Sequence, residues 1–102
     1  MAFAVTNVLR GTLEELSAIV ADLQLNGFAE VRSQPGFRGA RMYVAEDGTE
    51  AMTIVEWDSR EQFLAARQSE AGRRMVEDAR RWHPRIAFYE VAAVVDAGKA
   101  LP

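Results

Sequence analysis

The chain has 102 residues, 49% of them hydrophobic and 26% charged, which is typical of one globular domain and excludes a disordered or low-complexity segment. Its formal net charge of −3 argues against a nucleic-acid partner, because phosphate binding needs a concentrated basic surface. The absence of cysteine excludes disulfides and thiolate metal sites, and we expect a cytoplasmic protein. With no signal-peptide pattern and no apolar run near the roughly 18 residues of a membrane span, we expect no membrane partner.

The sequence begins with a predicted strand followed by a helix. Residues 3–10 alternate between two faces, one of which carries Phe3, Val5, Asn7 and Leu9. Thr12 and Glu15 have the spacing of a capping box, in which the two side chains bond the first free backbone amides of a helix. Apolar residues then recur at helical spacing. The helix either ends near Gly27 or tolerates this glycine and continues to about Ser33.

The next part of the chain predicts a hairpin, an interrupted helix and a last strand. Alternation over residues 40–44 and 49–57 indicates two antiparallel strands joined by an Asp-Gly turn at 47–48. Ser59 and Gln62 then have the spacing of a second capping box and begin a helix. We expect Ser69 and Gly72 to interrupt this helix, and residues 85–95 to form a fourth strand.

The order β-α-β-β-α-β predicts an α+β fold, the ferredoxin-like sandwich, in which a four-stranded antiparallel sheet carries the helices on one face. Residues 1–95 form this domain, and residues 96–102 form a C-terminal tail. The second face of the sheet is also apolar, since Ala4, Thr6 and Val8 lie on it in the first strand. Such a face needs cover, and a second copy of the chain provides it, so we expect a homodimer.

Two stretches resemble the antibiotic biosynthesis monooxygenase family: the turn Gln-Pro-Gly-Phe-Arg-Gly at residues 34–39, and the strand end Val-Glu-Trp at 55–57 before a capped helix. The resemblance covers roughly residues 2–95 and implies a dimeric α+β barrel with a pocket between sheet and helices. It also implies a small cofactor-independent monooxygenase that acts on an aromatic or polyketide-like substrate. The alternative is a non-catalytic dimeric barrel that binds a small hydrophobic ligand or supports a partner protein.

We expect no cofactor and no metal site. The sequence has a single histidine and no glycine-rich phosphate loop. Haem-degrading members of the family place a tryptophan and an iron-ligating histidine at positions near Arg67 and Val76, so haem degradation is not expected. A deprotonated phenol or enol can itself pass an electron to oxygen. The protein then needs only a dry pocket, a proton relay and donors for the developing oxyanion.

Three polar side chains are candidate catalytic residues: Asn7, Tyr43 and His83. Asn7 is expected to point into the apolar layer under the helices, where the family's haem degraders and several oxygenases place an asparagine that contacts the ligand or dioxygen. It is otherwise a structural amide bonded to backbone. Tyr43 and His83 are candidate proton relays. Tyr43 is otherwise an ordinary half-buried strand residue, and His83 is otherwise the surface cap of a helix.

Four further residues are candidates for substrate binding: Trp57, Phe63, Met75 and Trp82. Each of them has an alternative role as a core residue, because large apolar side chains at these spacings also fill the space between a helix and a sheet. The excess of arginine in the second half of the chain is either a solvated helix face or an anion-attracting rim.

Overall fold

The structure is a computed structural model that describes residues 2–95, so the expected tail over residues 96–102 lies outside the described residues. Its strands form one antiparallel sheet in the order β2-β3-β1-β4. They are β1 (Phe3–Arg10), β2 (Phe37–Val44), β3 (Glu50–Trp57) and β4 (Arg85–Glu90). The α-helices are α1 (Leu13–Asp22), α2 (Arg60–Gln68) and α3 (Glu70–Arg80). This order is the predicted ferredoxin-like α+β sandwich.

The hydrophobic core lies between one face of the sheet and the helices. Alternate residues of β1 and β3 face it in cross-strand pairs: Phe3 with Trp57, Val5 with Val55, and Leu9 with Ala51. The helices contribute Leu16 and Ile19 from α1 and Ala66 from α2. The helix-facing side of β1 is therefore the one that the alternation of the sequence predicts.

The start of the first helix is confirmed, and the helical run ends at Gly27, as the first of the two alternatives expects. The Thr12 hydroxyl accepts the N–H of Glu15, and the Glu15 carboxylate accepts the N–H of Thr12 at 3.1 Å. Hydrogen bonds from the Thr12 backbone amide and from its hydroxyl to the carboxylate lower the pKa of Glu15. At its other end α1 stops at Asp22 and continues as a π-helical turn (Leu23–Gly27), and a 3-10 turn (Val31–Ser33) follows.

The break between the second and third helices lies at Ser69 alone. Ser69 ends α2 and also caps α3 by accepting the N–H of Gly72. Gly72 is therefore inside α3, and the prediction that it interrupts the helix is wrong. The second capping box is formed only in part, because the Ser59 hydroxyl accepts the N–H of Gln62 but its own backbone amide receives no bond from the Gln62 side chain within residues 2–95.

The fourth strand is shorter than predicted. It ends at Glu90, not at Val95, because its only partner in the described part of the chain is β1, and Glu90 pairs with Phe3, the first residue of that strand. One further backbone bond joins the Val91 N–H to the Ala2 carbonyl. A strand needs a partner to continue, and the alternation of the sequence does not show where the partner ends.

The second face of the sheet, hereafter the outer face, is apolar in its centre as predicted. It carries residues of opposite parity, of which the apolar, small or aromatic ones are Ala4, Thr6, Val8, Tyr43, Met52, Ile54, Ala87 and Tyr89, and the charged Arg41, Glu56 and Arg85 lie around them. Tyr43 and Tyr89 are exposed, and Val8, Met52 and Ile54 are half-buried. No helix within residues 2–95 is long and apolar enough to cross a membrane.

Candidate functional site

A cavity of about 650 Å³ lies between the sheet and the helix layer. Its floor is formed by the helix-facing residues of β1, β3 and β4, and its walls by α1, the π-helical turn and α3. The space lies between α1, which packs against β1 and β3 through Leu16 and Ile19, and α3, which packs against α2. Small-molecule sites have volumes of about 300–1,000 Å³, so the cavity is large enough for a ligand of several rings.

Asn7 lies on the floor of this cavity. It is half-buried between Val5 and Leu9, which line the same floor. No backbone or side-chain group within residues 2–95 forms a hydrogen bond with its amide, and the amide is not sealed from solvent. Its two N–H donors and its carbonyl oxygen are therefore open to a ligand.

Thr53 is a second polar residue on the floor, and it is not among the residues predicted from the sequence. It lies opposite Asn7 in the register of β1 and β3. A signal was present, since Thr53 shares the alternation of Ala51, Val55 and Trp57, and a hydroxyl on an apolar strand face is unusual. The strand pattern does not show that the helices leave the sheet uncovered beside Thr53.

The aromatic candidates both line the cavity and belong to the core. Trp57 meets Phe37 edge-on at 5.5 Å between ring centroids, and Phe63 lies 6.0 Å from Trp57. Phe63 also lies 5.6 Å from both Phe3 and Phe88. One end of the cavity is therefore walled by packed rings, which favour a flat apolar ligand.

Met75 and Trp82 also line the cavity, as expected for substrate-binding residues. Met75 is half-buried on α3 and packs against the group that contains Phe3 and Trp57. Trp82 follows α3 and packs at the other end of the core, with the Arg81 guanidinium 5.0 Å from its ring centroid. Both side chains therefore pack in the hydrophobic core and also line the cavity.

The structure separates the two candidate proton relays. His83 lies at the rim of the cavity, exposed, in the left-handed region with a φ of 48°. Its backbone N–H bonds the Arg80 carbonyl at 3.1 Å, so it terminates the turn after α3. Tyr43 lies on the outer face beside Met52 and is not among the lining residues. The cavity therefore brings together Asn7 and His83 but not Tyr43.

Charged side chains of both signs surround the rim: Arg67, Arg74, Arg80, Arg81, Asp22, Glu30 and Asp78. Arg74 of α3 and Glu30 before the 3-10 turn form an ion pair that joins the two walls. The Asn26 amide donates to Asp22 at 3.0 Å. The rim is therefore mixed in charge and not purely anion-attracting. Within residues 2–95, no three His, Asp or Glu side chains are grouped as metal ligands.

Comparisons with known proteins agree with this architecture. A four-stranded antiparallel sheet in the order β2-β3-β1-β4, with the helices on one face, defines the ferredoxin-like α+β class. Residues 2–78 match the family model described as "Antibiotic biosynthesis monooxygenase". The chain belongs to the antibiotic biosynthesis monooxygenase family, as the resemblance of its motifs implies. A search of the curated proteins finds no significant match.

Three solved structures illustrate the shared fold. Rv0793 from Mycobacterium tuberculosis is 19% identical, with a TM-score of 0.73 over 96% of this chain and 100% of its own. The monooxygenase from the gene ActVA-Orf6 of Streptomyces coelicolor, solved with nanaomycin D, is 17% identical, with a TM-score of 0.74 over 94% and 92%. SnoaB, a cofactor-independent oxygenase from Streptomyces nogalater, is 15% identical, with a TM-score of 0.72 over 92% and 95%. At these identities the likeness shows the fold alone.

Proposed function

We propose that this protein is a cofactor-independent monooxygenase that acts on an aromatic or polyketide-like molecule inside the cavity. The observation that carries the proposal is the 650 Å³ apolar cavity with the free amide of Asn7 on its floor. Membership of the monooxygenase family and the described ligand and activity of two structural neighbours support it. We place the protein in the cytoplasm as part of the same proposal.

The proposed chemistry converts an enolisable ring methylene to a carbonyl. The methylene loses a proton, the resulting enolate passes an electron to O₂, and the two radicals combine to form a carbon–oxygen bond. The resulting peroxide anion takes up one proton to form a hydroperoxide, which loses water, so one CH₂ group and one O₂ molecule give one carbonyl and one H₂O. A ligand that fills the cavity displaces water from its floor, and the Asn7 amide donates a hydrogen bond to the oxygen on which negative charge develops.

His83 is the proposed proton relay of this reaction. It is the only imidazole of the chain, and imidazole is the side chain that most often transfers protons in general acid–base catalysis. Its place at the rim connects the cavity with solvent, so a proton taken from the substrate can leave there. Tyr43 takes no part in the proposed reaction, since it lies across the sheet from the cavity.

A homodimer formed through the outer face is part of the proposal. The apolar centre of this face, with the half-buried Val8, Met52 and Ile54, is the kind of surface that a second copy covers about a two-fold axis. The cavity lies on the opposite side of the sheet, so each protomer keeps its own site.

The alternative is a non-catalytic barrel that binds a small hydrophobic ligand. One observation favours it: the polar side chains on the floor are Asn7 and Thr53, and neither of them titrates near neutrality. The only imidazole lies at the exposed rim. A cavity of this kind binds a ligand without needing to move a proton.

Oxygen uptake by the chelator-treated protein tests the proposal. An anthrone and a hydroquinone are offered separately, and uptake is recorded with an oxygen electrode above the rate of spontaneous oxidation. We expect uptake by the native protein and by Leu25→Ala, which changes an exposed residue outside the cavity, and loss of uptake with Asn7→Leu. Binding of the same compounds without uptake establishes the alternative. Neither binding nor uptake rejects both.

A further inference from the structure

The two polar residues on the floor of the cavity form a pair. Thr53 of β3 lies directly across from Asn7 of β1 in the antiparallel register, and both side chains line the cavity. The Cβ atoms of residues paired in this way are about 4.5–5.5 Å apart. An amide and a hydroxyl at that separation can contact the same ligand atom.

The hydroxyl of Thr53 has no partner in the described part of the protein. Thr53 is 4% exposed and is the only polar side chain among residues 2–95 that is so buried. No hydrogen bond within those residues involves its hydroxyl. In the same part of the chain, every side-chain oxygen or nitrogen that is sealed from solvent has a hydrogen-bond partner. The Thr53 hydroxyl has no partner, so it is not sealed, and it opens into the cavity that Thr53 lines.

Packing alone does not account for a hydroxyl at this position. The pairs on either side of it, Val5 with Val55 and Leu9 with Ala51, are apolar and buried or nearly so. Valine has the shape of threonine and would fill the same space without placing a hydroxyl on the floor of the cavity. A hydroxyl that the fold does not bond and that opens into the cavity beside a free amide points to a ligand that bonds it.

We infer that Thr53 and Asn7 together bind one oxygen of the ligand, and that the cavity therefore selects aromatic molecules bearing a hydroxyl or carbonyl oxygen over equally large hydrocarbons. The inference rests on the proposed function only in taking the cavity as the ligand site. Threonine supplies one donor and one acceptor, and asparagine two donors and one acceptor. The pair can hold a phenol and can still donate to its oxygen once the proton is lost.

Equilibrium dialysis with two matched probes tests the inference without turnover. The probes are 1-naphthol and 1-methylnaphthalene, which differ in a hydroxyl and a methyl group of similar size. The variants are Thr53→Val, which removes the hydroxyl, and Thr53→Ser, which keeps it. Thr6→Val is the matched control, because Thr6 lies on the outer face and its hydroxyl donates to the Ala87 carbonyl at 3.4 Å.

We expect the native protein to prefer 1-naphthol, and Thr53→Val to weaken 1-naphthol binding by about threefold to tenfold, the worth of one hydrogen bond, while 1-methylnaphthalene binding stays within about twofold. Thr53→Ser and Thr6→Val should keep the preference, and the melting temperature of Thr53→Val should not fall. Equal loss of both probes, or an unchanged preference in Thr53→Val, overturns the inference. If the native protein binds neither probe, both the inference and the assignment of the cavity as the ligand site are overturned. If Thr53→Val abolishes the preference but the native protein takes up no oxygen, the inference is supported and only the proposed monooxygenase activity is rejected.

Discussion

Gly72 of α3 packs directly on the backbone of Ala66, near the end of α2, so closely that a Cβ on Gly72 would overlap the Ala66 carbonyl oxygen. This contact sets how α3 leaves the kink at Ser69, and α3 in turn forms one wall of the cavity through Ala71 and Met75. The glycine therefore affects the shape of the site through helix packing, although it carries no functional group.

Gly72→Ala is expected to lower the free energy of unfolding by about 1–3 kcal/mol, because overpacking a tight contact forces the backbone to move. Gly11→Ala is the matched control, since a Cβ there would meet Glu15 at the ordinary distance of 3.5 Å. Urea unfolding of the two variants measures the difference. Equal stability of both would show that α3 can shift without strain.

The capping box of α1 gives the protein a pH-dependent contribution to stability. The Thr12 backbone amide and hydroxyl lower the pKa of the Glu15 carboxylate relative to the unfolded chain. A lowered pKa means stabilisation that is present above the unfolded pKa and is lost as pH falls through the folded value. Glu15→Gln should therefore melt below the native protein at pH 7, and the gap should narrow as the pH is lowered toward 3. A gap that is constant with pH would rule out the carboxylate as its cause.

The outer face gives a prediction about assembly. Light scattering at micromolar concentration should give about twice the chain mass of 11.3 kDa. Ile54→Glu places a charge in the apolar centre of that face and should give the monomer mass. Leu25→Glu introduces the same charge at a position that is 74% exposed and should leave the dimer intact. A native protein that scatters as a monomer contradicts the proposed homodimer.

Local signals were sufficient for much of the fold. The alternation of residues 3–10 predicted which face of β1 is buried, and the capping spacing of Thr12 and Glu15 predicted where α1 begins, because both depend on neighbours in the chain. The length of β4 depended on where β1 begins, far away in sequence. Gly72 resembled a helix breaker because its low helix propensity is local, whereas the contact that requires it is tertiary.

The same distinction applies to the site. Asn7 stood out because an amide broke an apolar alternation, and the structure places it in the cavity. Thr53 broke the pattern less, since threonine is common in strands. Tyr43 has chemistry suited to a relay, but its parity puts it on the other face of the sheet. Which residues reach the cavity depends on how far α1 and α3 stand apart, and no single strand or helix encodes that distance.

Asn7 provides the sharpest test of the site. Its amide has no hydrogen-bond partner within residues 2–95, so Asn7→Leu removes a polar group that the fold does not use and replaces it with an apolar one of similar size. The melting temperature should stay the same or rise, while binding of 1-naphthol falls. Leu9→Asn is the reverse control: it places an amide at a buried core position and should lower the melting temperature markedly. A clear drop in stability for Asn7→Leu with binding intact would make Asn7 a structural amide, and the floor of the cavity would lose the group on which the proposed oxygen chemistry depends.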